Sequence, residues 1–389
     1  MLQNSSPTAD RPWSRRRRLA AGFSLLAVTL GLAALPRPAR ALAGDKDAPP
    51  KVVDTAPLPL KDGPTPFDFR FASDAVPGVV AFRPAAFLRR VGESYLNEEY
   101  RGILAEIAER LKVDTKATGF RTLGLEDIDW VIGGLRFGKI KAPDDGRMMH
   151  FLEFGHVAVR ATAPFDWLAW LRQYGLVFEE ARDGGRVYYR VTGPVRPYLG
   201  KAPCVCLPDD RTIVFDEEPG MRSLLGREAA PVPAPFKGMD RERVDRSLFL
   251  VAIDNQGGRF AKSYDAGRAD DAVVLSLFKN VDTWALSVAD SDALDLNALG
   301  VCPGAEGRTT AAVIESLTSL ARRTLDAGNP AAKPGEDAER AARLAKDLLT
   351  DLRVSSTDHS VEVRYDGKVT LKKLSGLMDA AAKEANAPR

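Results

Sequence analysis

HFLEFGH, residues 150–156, sets His150 and His156 on either side of Glu153. Imidazoles and a carboxylate are the groups a zinc ion or a general base would use. Spaced i, i+3, i+6, they share a face only on a helix. The surrounding MMHFLEFGHVAVRAT opposes a helix: Val157 and Val159 are β-branched, Phe151 and Phe154 are aromatic, and Gly155 weakens helical propensity. On a strand, alternation puts His150 and His156 on one face and Glu153 on the other. The imidazoles then lie roughly 20 Å apart by strand rise, too far to share one ion. The stretch is expected to be structural, and His359 falls in a predicted turn.

The remaining reactive residue types are weighed in the same way. Cys204-Val-Cys206 offers two soft ligands without the further Cys or His that a metal needs. With Cys302 the thiols number three, and they are expected to be free and buried. Acidic groups gather at Glu126, Asp127 and Asp129, at Asp144-Asp145, at Asp209-Asp210 and at Asp216-Glu217-Glu218. Paired carboxylates serve glycosidases and calcium sites. Here turns account for Asp144-Asp145 and Asp209-Asp210, a strand start for Glu126-Asp127, and the start of a helix for Glu217-Glu218. There is no G-x-S-x-G, no H-E-x-x-H and no phosphate loop. Gln256-Gly257-Gly258-Arg259 lies between a predicted strand and helix, so Gly257, Gly258 and Arg259 are candidates to hold an anion on backbone amides. The aromatic segment PFDWLAWLRQYG is read as a helix buried between sheet and neighbour. In the competing reading Trp167, Trp170 and Tyr174 line a partner groove. No residue pattern calls for a catalytic group, a metal or a cofactor.

Positioning these residues takes short strands, tight turns and amphipathic helices. Strands are expected at about 78–82, 127–138 and 148–162. Hairpins turn on Asp183-Gly184-Gly185 and on Pro208-Asp209-Asp210, and EPGMRSLLGRE closes with a short helix. Pro84 opens a helical pattern running toward Leu111, with Ile103, Leu104, Ile107 and Leu111 on one stripe. PFDWLAWLRQYG has Pro164 in its first turn and Gly175 at its end. Further on, 247–254, 281–290 and 293–301 read as strands. DDAVVLSLFKN, the segment ending at Gly328, GEDAERAARLAKDLLTDL and VTLKKLSGLMDAAAKEA read as helices, with a hairpin turning near Thr357-Asp358.

The order strand, helix, strand, strand, helix, strand pair, short helix occurs twice. DRTIVFDEEPGMRSLL and DHSVEVRYDGKVTLKKL are the equivalent ends. The expected fold is α+β: two diverged repeats of mainly antiparallel sheet with packed helices. The units are 67–228 and 244–389, joined by a Pro-rich linker at 229–243 and preceded by a Pro-rich linker at 44–66.

Residues 1–43 read as a signal peptide. Arg15–Arg18 form a basic region, LAAGFSLLAVTLGLAAL (19–35) an apolar run, and Ala41-Leu42-Ala43 a small-x-small cleavage site after Ala43. If it were kept, 19–35 would be the one membrane contact. Seven Arg against one Asp give this leader +6; the whole chain carries +2, which leaves −4 for the rest. The apparent basicity belongs to the leader, so no case for nucleic acid remains. The expected location is periplasmic or secreted.

GVVAFRPAAFLRR (78–90) and PDDRTIVFDEEPGMRSLL (208–225) resemble stretches of uncharacterised exported bacterial proteins. The resemblance implies an export-associated role and carries no site residue. The sequence thus points to an exported α+β protein, a non-catalytic binding or structural module of the cell envelope with an unknown protein or envelope ligand as partner. A hydrolase with an unrecognised site is the alternative, and a membrane-tethered accessory subunit a third.

Overall fold

A computed structural model describes residues 65–72, 78–92, 100–101, 122–141, 148–192, 203–226, 236, 238–256, 278–327 and 336–376. Among them, one twelve-stranded antiparallel sheet organises the chain. Its strands are β1 (Gly78–Phe82), β2 (Ile128–Lys141), β3 (Met148–Ala161), β4 (Val177–Asp183), β5 (Arg186–Thr192), β6 (Pro203–Cys206), β7 (Thr212–Glu217), β8 (Ser247–Asp254), β9 (Thr283–Ala289), β10 (Asp295–Val301), β11 (Leu352–Ser356) and β12 (Ser360–Tyr365). The helices are α1 (Pro84–Val91), α2 (Trp167–Gln173), α3 (Glu218–Leu225), α4 (Arg241–Arg246), α5 (Gly307–Ala327) and α6 (Glu336–Thr350). A further helical turn follows at 371–376. The expected α+β class is the observed one.

Across the sheet the order is β11-β12-β10-β9-β8-β1-β2-β3-β7-β6-β5-β4. β1, β2 and β3 form a meander whose outer side is closed by β7, the last strand before α3. β8, β9 and β10 form another, closed by β12, the last strand before the turn at 371–376. The two meanders meet where β1 pairs with β8.

Turn chemistry fixes the registers. Gly184 and Gly185 hold φ of 55° and 82° between β4 and β5. These are left-handed values that a two-residue hairpin loop demands and that glycine adopts without strain. The aromatic helix starts later than its proline suggests. Asp166 caps α2 by accepting from the Ala169 amide at 2.9 Å, so Pro164 stays outside and helical geometry begins at Trp167. Gly175, with φ of 77°, follows its end.

Apolar side chains pack on both faces. One face gathers Phe67, Phe69, Phe71, Trp130, Ile132, Tyr188, Cys204, Cys206, Val214 and Met221 beneath the 65–72 segment, α3 and α4. The opposite face of the β2–β7 region carries α2, with Trp167, Leu168, Leu171 and Tyr174 against Val205 and Ile213. A third cluster, including Val91, Leu248, Leu294, Tyr365 and Leu371, packs around α1 and the 371–376 turn.

Two bulges change the alternation expected from the sequence. Ile128 faces Ala161 but Trp130 faces Arg160, which makes Asp129 the inserted residue. Gly134 faces His156 but Leu135 faces Phe154, which inserts Gly155. The strict alternation expected to put His150 and His156 on one face is therefore broken at Gly155.

Candidate functional site

The Asp129 bulge lies beside an open recess of about 340 Å³, lined by Thr65, Pro66, Phe67, Asp68, Trp130 and Arg160. That is the lower end of the range for small-ligand sites. Three parts of the chain build it. The 65–72 segment crosses the sheet on its phenylalanines, Phe67 and Phe69 being buried. Trp130 comes from β2 and Arg160 from β3, opposite one another in register.

Arginines and aspartates pair around this recess. Arg160 donates from Nη1 to Asp209 Oδ2 and to Thr212 Oγ1, both at 2.7 Å, and its Nε lies 4.0 Å from Asp129 Oδ2. Asp209 also accepts from the Arg211 and Thr212 amides at 2.8 Å each. These hydrogen bonds hold its carboxyl below the ordinary range although burial opposes them. Asp68 accepts from Arg70 Nε through both oxygens, at 2.9 and 3.0 Å.

Behind the recess lies Arg83, which is 1% exposed. It leaves the end of β1 and donates from Nε to the Ser247 carbonyl at 3.0 Å and from Nη2 to the Asp245 carbonyl at 3.1 Å. It thereby caps the C-terminal end of α4, where exposed carbonyls favour a cation. Its guanidinium lies 4.0 Å from the centre of the Phe67 ring. Nη1 is 3.8 Å from Asp129 Oδ1 and makes no hydrogen bond. Burial pulls this guanidinium down to about 10, against the fields of Asp129, Asp245 and Asp290. Asp129 responds oppositely. Burial raises its proton affinity, which Arg83, a hydrogen bond from Thr65, Arg160 and Arg89 only partly offset.

Hydrogen-bond donors and acceptors do not balance here. The carboxylates of Asp68 and Asp209 accept two or more hydrogen bonds each. The indole Nε1 of Trp130, 1% exposed, has no hydrogen-bond partner. A buried N–H normally finds one.

The same sheet face carries a second charged cluster. Glu218, at the start of α3, accepts from Tyr188 Oη at 2.8 Å, Arg190 Nη2 at 2.8 Å and Arg222 Nη2 at 2.6 Å. These bonds hold its carboxyl at about 2. Cys204 and Cys206 lie alongside, pushed up to about 11 and about 12 by burial first and by nearby carboxylates second. Both, with Cys302, are buried thiols without a disulfide, as expected from the sequence. His156, 2% exposed, lays its ring over Gly134, where any Cβ would collide with the imidazole.

The residues expected from the sequence fall elsewhere. Trp167 and Tyr174 are buried in the core under α2, where Trp167, Trp170, Phe165 and Tyr174 meet edge to face. Trp170 is half-buried. The candidate anion contacts Gly257, Gly258 and Arg259, the leader 1–43 and most of the 44–66 linker lie outside the described residues, as do the side chains of His150 and Glu153. Among the described residues, no group of three or more His, Cys, Asp or Glu is placed to hold a metal ion. No described helix is long and apolar enough to cross a membrane.

The sequence reading passed over Arg83, Trp130, Arg160 and Thr212, and it assigned Asp209 to a turn alone. One signal was available. Arg83 in VVAFRPAAF, Asp129 in IDWVI and Arg160 in VAVRAT are single charges inside apolar runs, and such charges are rarely buried without a partner.

No family model matches the chain and no curated protein matches it. Among solved structures it aligns with crystal forms of TP0453. Form III shows 10% identity over 81% of this chain and 99% of that one, with a TM-score of 0.38. Form IV shows 9% identity over 81% and 97%, with 0.37. Scores of this size fix no shared site, and the reading below rests on this chain's own residues.

Proposed function

We propose that this protein is a non-catalytic binding module of the cell envelope, exported through cleavage after Ala43 and built from two diverged repeats, 67–228 and 244–389. The basic, apolar and small-x-small order of residues 15–43 supports export. Matching strand order supports the duplication: in each unit a meander is closed by a late strand that leads into a helix. The observation that carries the binding role is the recess at the Asp129 bulge. Its carboxylates are held by arginines and amides. The thiols on the same face are kept protonated by burial. Such a site fixes charge in place and supplies no activated nucleophile.

Native mass spectrometry of the protein recovered from its extracytoplasmic fraction tests this. The expected result is the mass of residues 44–389, with a small molecule retained by the wild type and lost from Arg160→Gln. An uncleaved mass would refute the export assignment. Turnover of chromogenic ester, glycoside or phosphate substrates, abolished by Arg160→Gln, would refute the non-catalytic one.

A further inference from the structure

The 65–72 segment lies on the sheet without joining its ladder. Its backbone hydrogen bonds, from the Phe71 amide to the Asp68 carbonyl and from the Ala72 amide to the Phe69 carbonyl, stay inside it. Asp68 closes the same turn by accepting from the Arg70 amide at 3.1 Å. Aromatic rings attach the segment instead. Phe67 lies against the Arg83 guanidinium, Phe69 meets Phe236 at 5.6 Å and Phe71 meets Trp130 at 6.3 Å between ring centres. Thr65 adds a hydrogen bond to Asp129.

The polar groups against this segment are poorly satisfied. The Trp130 indole N–H has no acceptor, and Arg83 Nη1 has no hydrogen bond. Asp129 stands 3.8 Å from that nitrogen and 4.0 Å from Arg160 Nε, outside hydrogen-bond range of both. Burying polar groups in this way costs free energy that contact with water returns. All three groups touch one short segment, whereas β1 beside them is paired along both edges.

We infer that residues 65–72 form a strap that leaves the sheet as a unit while the sheet stays folded, and that this strap is the gate of the recess. Thr65, Pro66, Phe67 and Asp68 of the strap line the recess together with Trp130 and Arg160 of the sheet, so the recess is a pocket only while the strap is down. Burial of Phe67, Phe69 and Phe71 draws the strap down. The unmet needs of Trp130, Arg83 and Asp129 push it up. Two opposed terms of this kind place a segment at the low end of local stability. Movement of the strap stands on these contacts alone; its use in admitting a ligand rests on the binding role proposed above.

Hydrogen exchange of the intact protein, read by mass spectrometry, tests the strap. Peptides holding the Phe71 and Ala72 amides are expected to exchange about a hundredfold faster than those holding Val79–Ala81 and Leu250–Ala252 of the ladder. A frayed turn would do the same, so the deciding comparison is Arg83→Met combined with Asp129→Asn. That variant removes both buried charges and keeps side-chain size. It is expected to slow strap exchange about fivefold without slowing the ladder. Trp130→Phe removes the unpartnered indole N–H and is expected to act in the same direction, which keeps the test open if the double variant does not fold. Trypsin cleavage after Arg70 should follow the exchange rates. Strap and ladder exchanging at one rate would overturn the strap as a separate unit. A fast strap left unchanged or hastened by both substitutions would overturn the buried polar groups as its cause and leave only a frayed turn. Failure of native mass spectrometry to find a retained molecule would count against the binding role and not against the strap, so the two readings fail separately.

Discussion

Replacing Arg83 by Met keeps the length of the side chain and its packing against Phe67 but removes the guanidinium. The structure sets what is lost. Two charge-assisted hydrogen bonds to the Asp245 and Ser247 carbonyls disappear, each contributing about 1.5–3 kcal/mol. Those carbonyls lose a donor at the end of α4, and Asp129 loses the positive charge 3.8 Å from it. Against this stands the recovered cost of desolvating a cation, already visible in the depression of Arg83 to about 10. Removing one partner of a buried pair usually costs about 3–5 kcal/mol, and the wild-type minus Arg83→Met difference in urea unfolding is expected there. Asp129→Asn on its own should cost less, because it removes a charge that burial disfavours. The double substitution should show a coupling of about 1–2 kcal/mol. The proton affinity of Asp129 is raised in the folded state. Its contribution is therefore full below the unfolded carboxylate value and is lost as pH rises through the folded one. Asp129→Asn should accordingly flatten the fall in stability with rising pH just above the normal carboxylate range. A loss under about 1 kcal/mol for Arg83→Met, with no coupling to Asp129, would refute the view that this arginine ties β1 to α4.

Other perturbations read other parts of the structure. Gly134→Ala drives a methyl into the His156 imidazole and should lower unfolding stability by about 1–3 kcal/mol; adding His156→Ala should return part of that loss, whereas strict additivity would mean the ring is not seated there. Glu218 is held at about 2, so its contribution is present above the ordinary carboxylate range and is lost as pH falls toward 2; Glu218→Gln should flatten the acid limb of a stability–pH curve, and an unchanged limb would argue against the Tyr188–Arg190–Arg222 arrangement. Cys204 and Cys206, at about 11 and about 12, should resist iodoacetamide at pH 8 in the folded protein and react on unfolding; rapid native alkylation counted by mass spectrometry would contradict their burial. Asp166→Ala removes the cap of α2 and should cost about 1 kcal/mol in the same unfolding assay.

Much of the fold was legible because local chemistry decides it. Val79–Ala81, Leu248–Ala252 and Ile213–Val214 are apolar runs bounded by turn residues, and they form strands where the pattern puts them. Gly184-Gly185 names its own hairpin. The helix start at Trp167 was missed because Asp166, a competing cap, overrides the proline two residues earlier. Bulges at Asp129 and Gly155 were illegible, since a bulge depends on how a partner strand counts. The recess was illegible for the same reason. Thr65–Asp68, Trp130 and Arg160 are separated by up to 95 residues and meet only once β2 and β3 are paired. Sequence spacing carries helical and strand faces, but it does not carry a juxtaposition set by sheet register.

The pairing of β1 with β8 also has a consequence for how the chain is made. Phe82 and Phe249 sit opposite each other across that junction, yet more than 160 residues separate them. At typical rates of synthesis, on the order of ten to thirty seconds pass between the emergence of one strand and the other. Throughout that interval Gly78–Phe82, an uncharged five-residue strand, offers an open backbone edge to whatever strand is nearby. Loop closure over such a length is also slow. A truncation before Ser247 would leave that edge of β1 without its native partner strand.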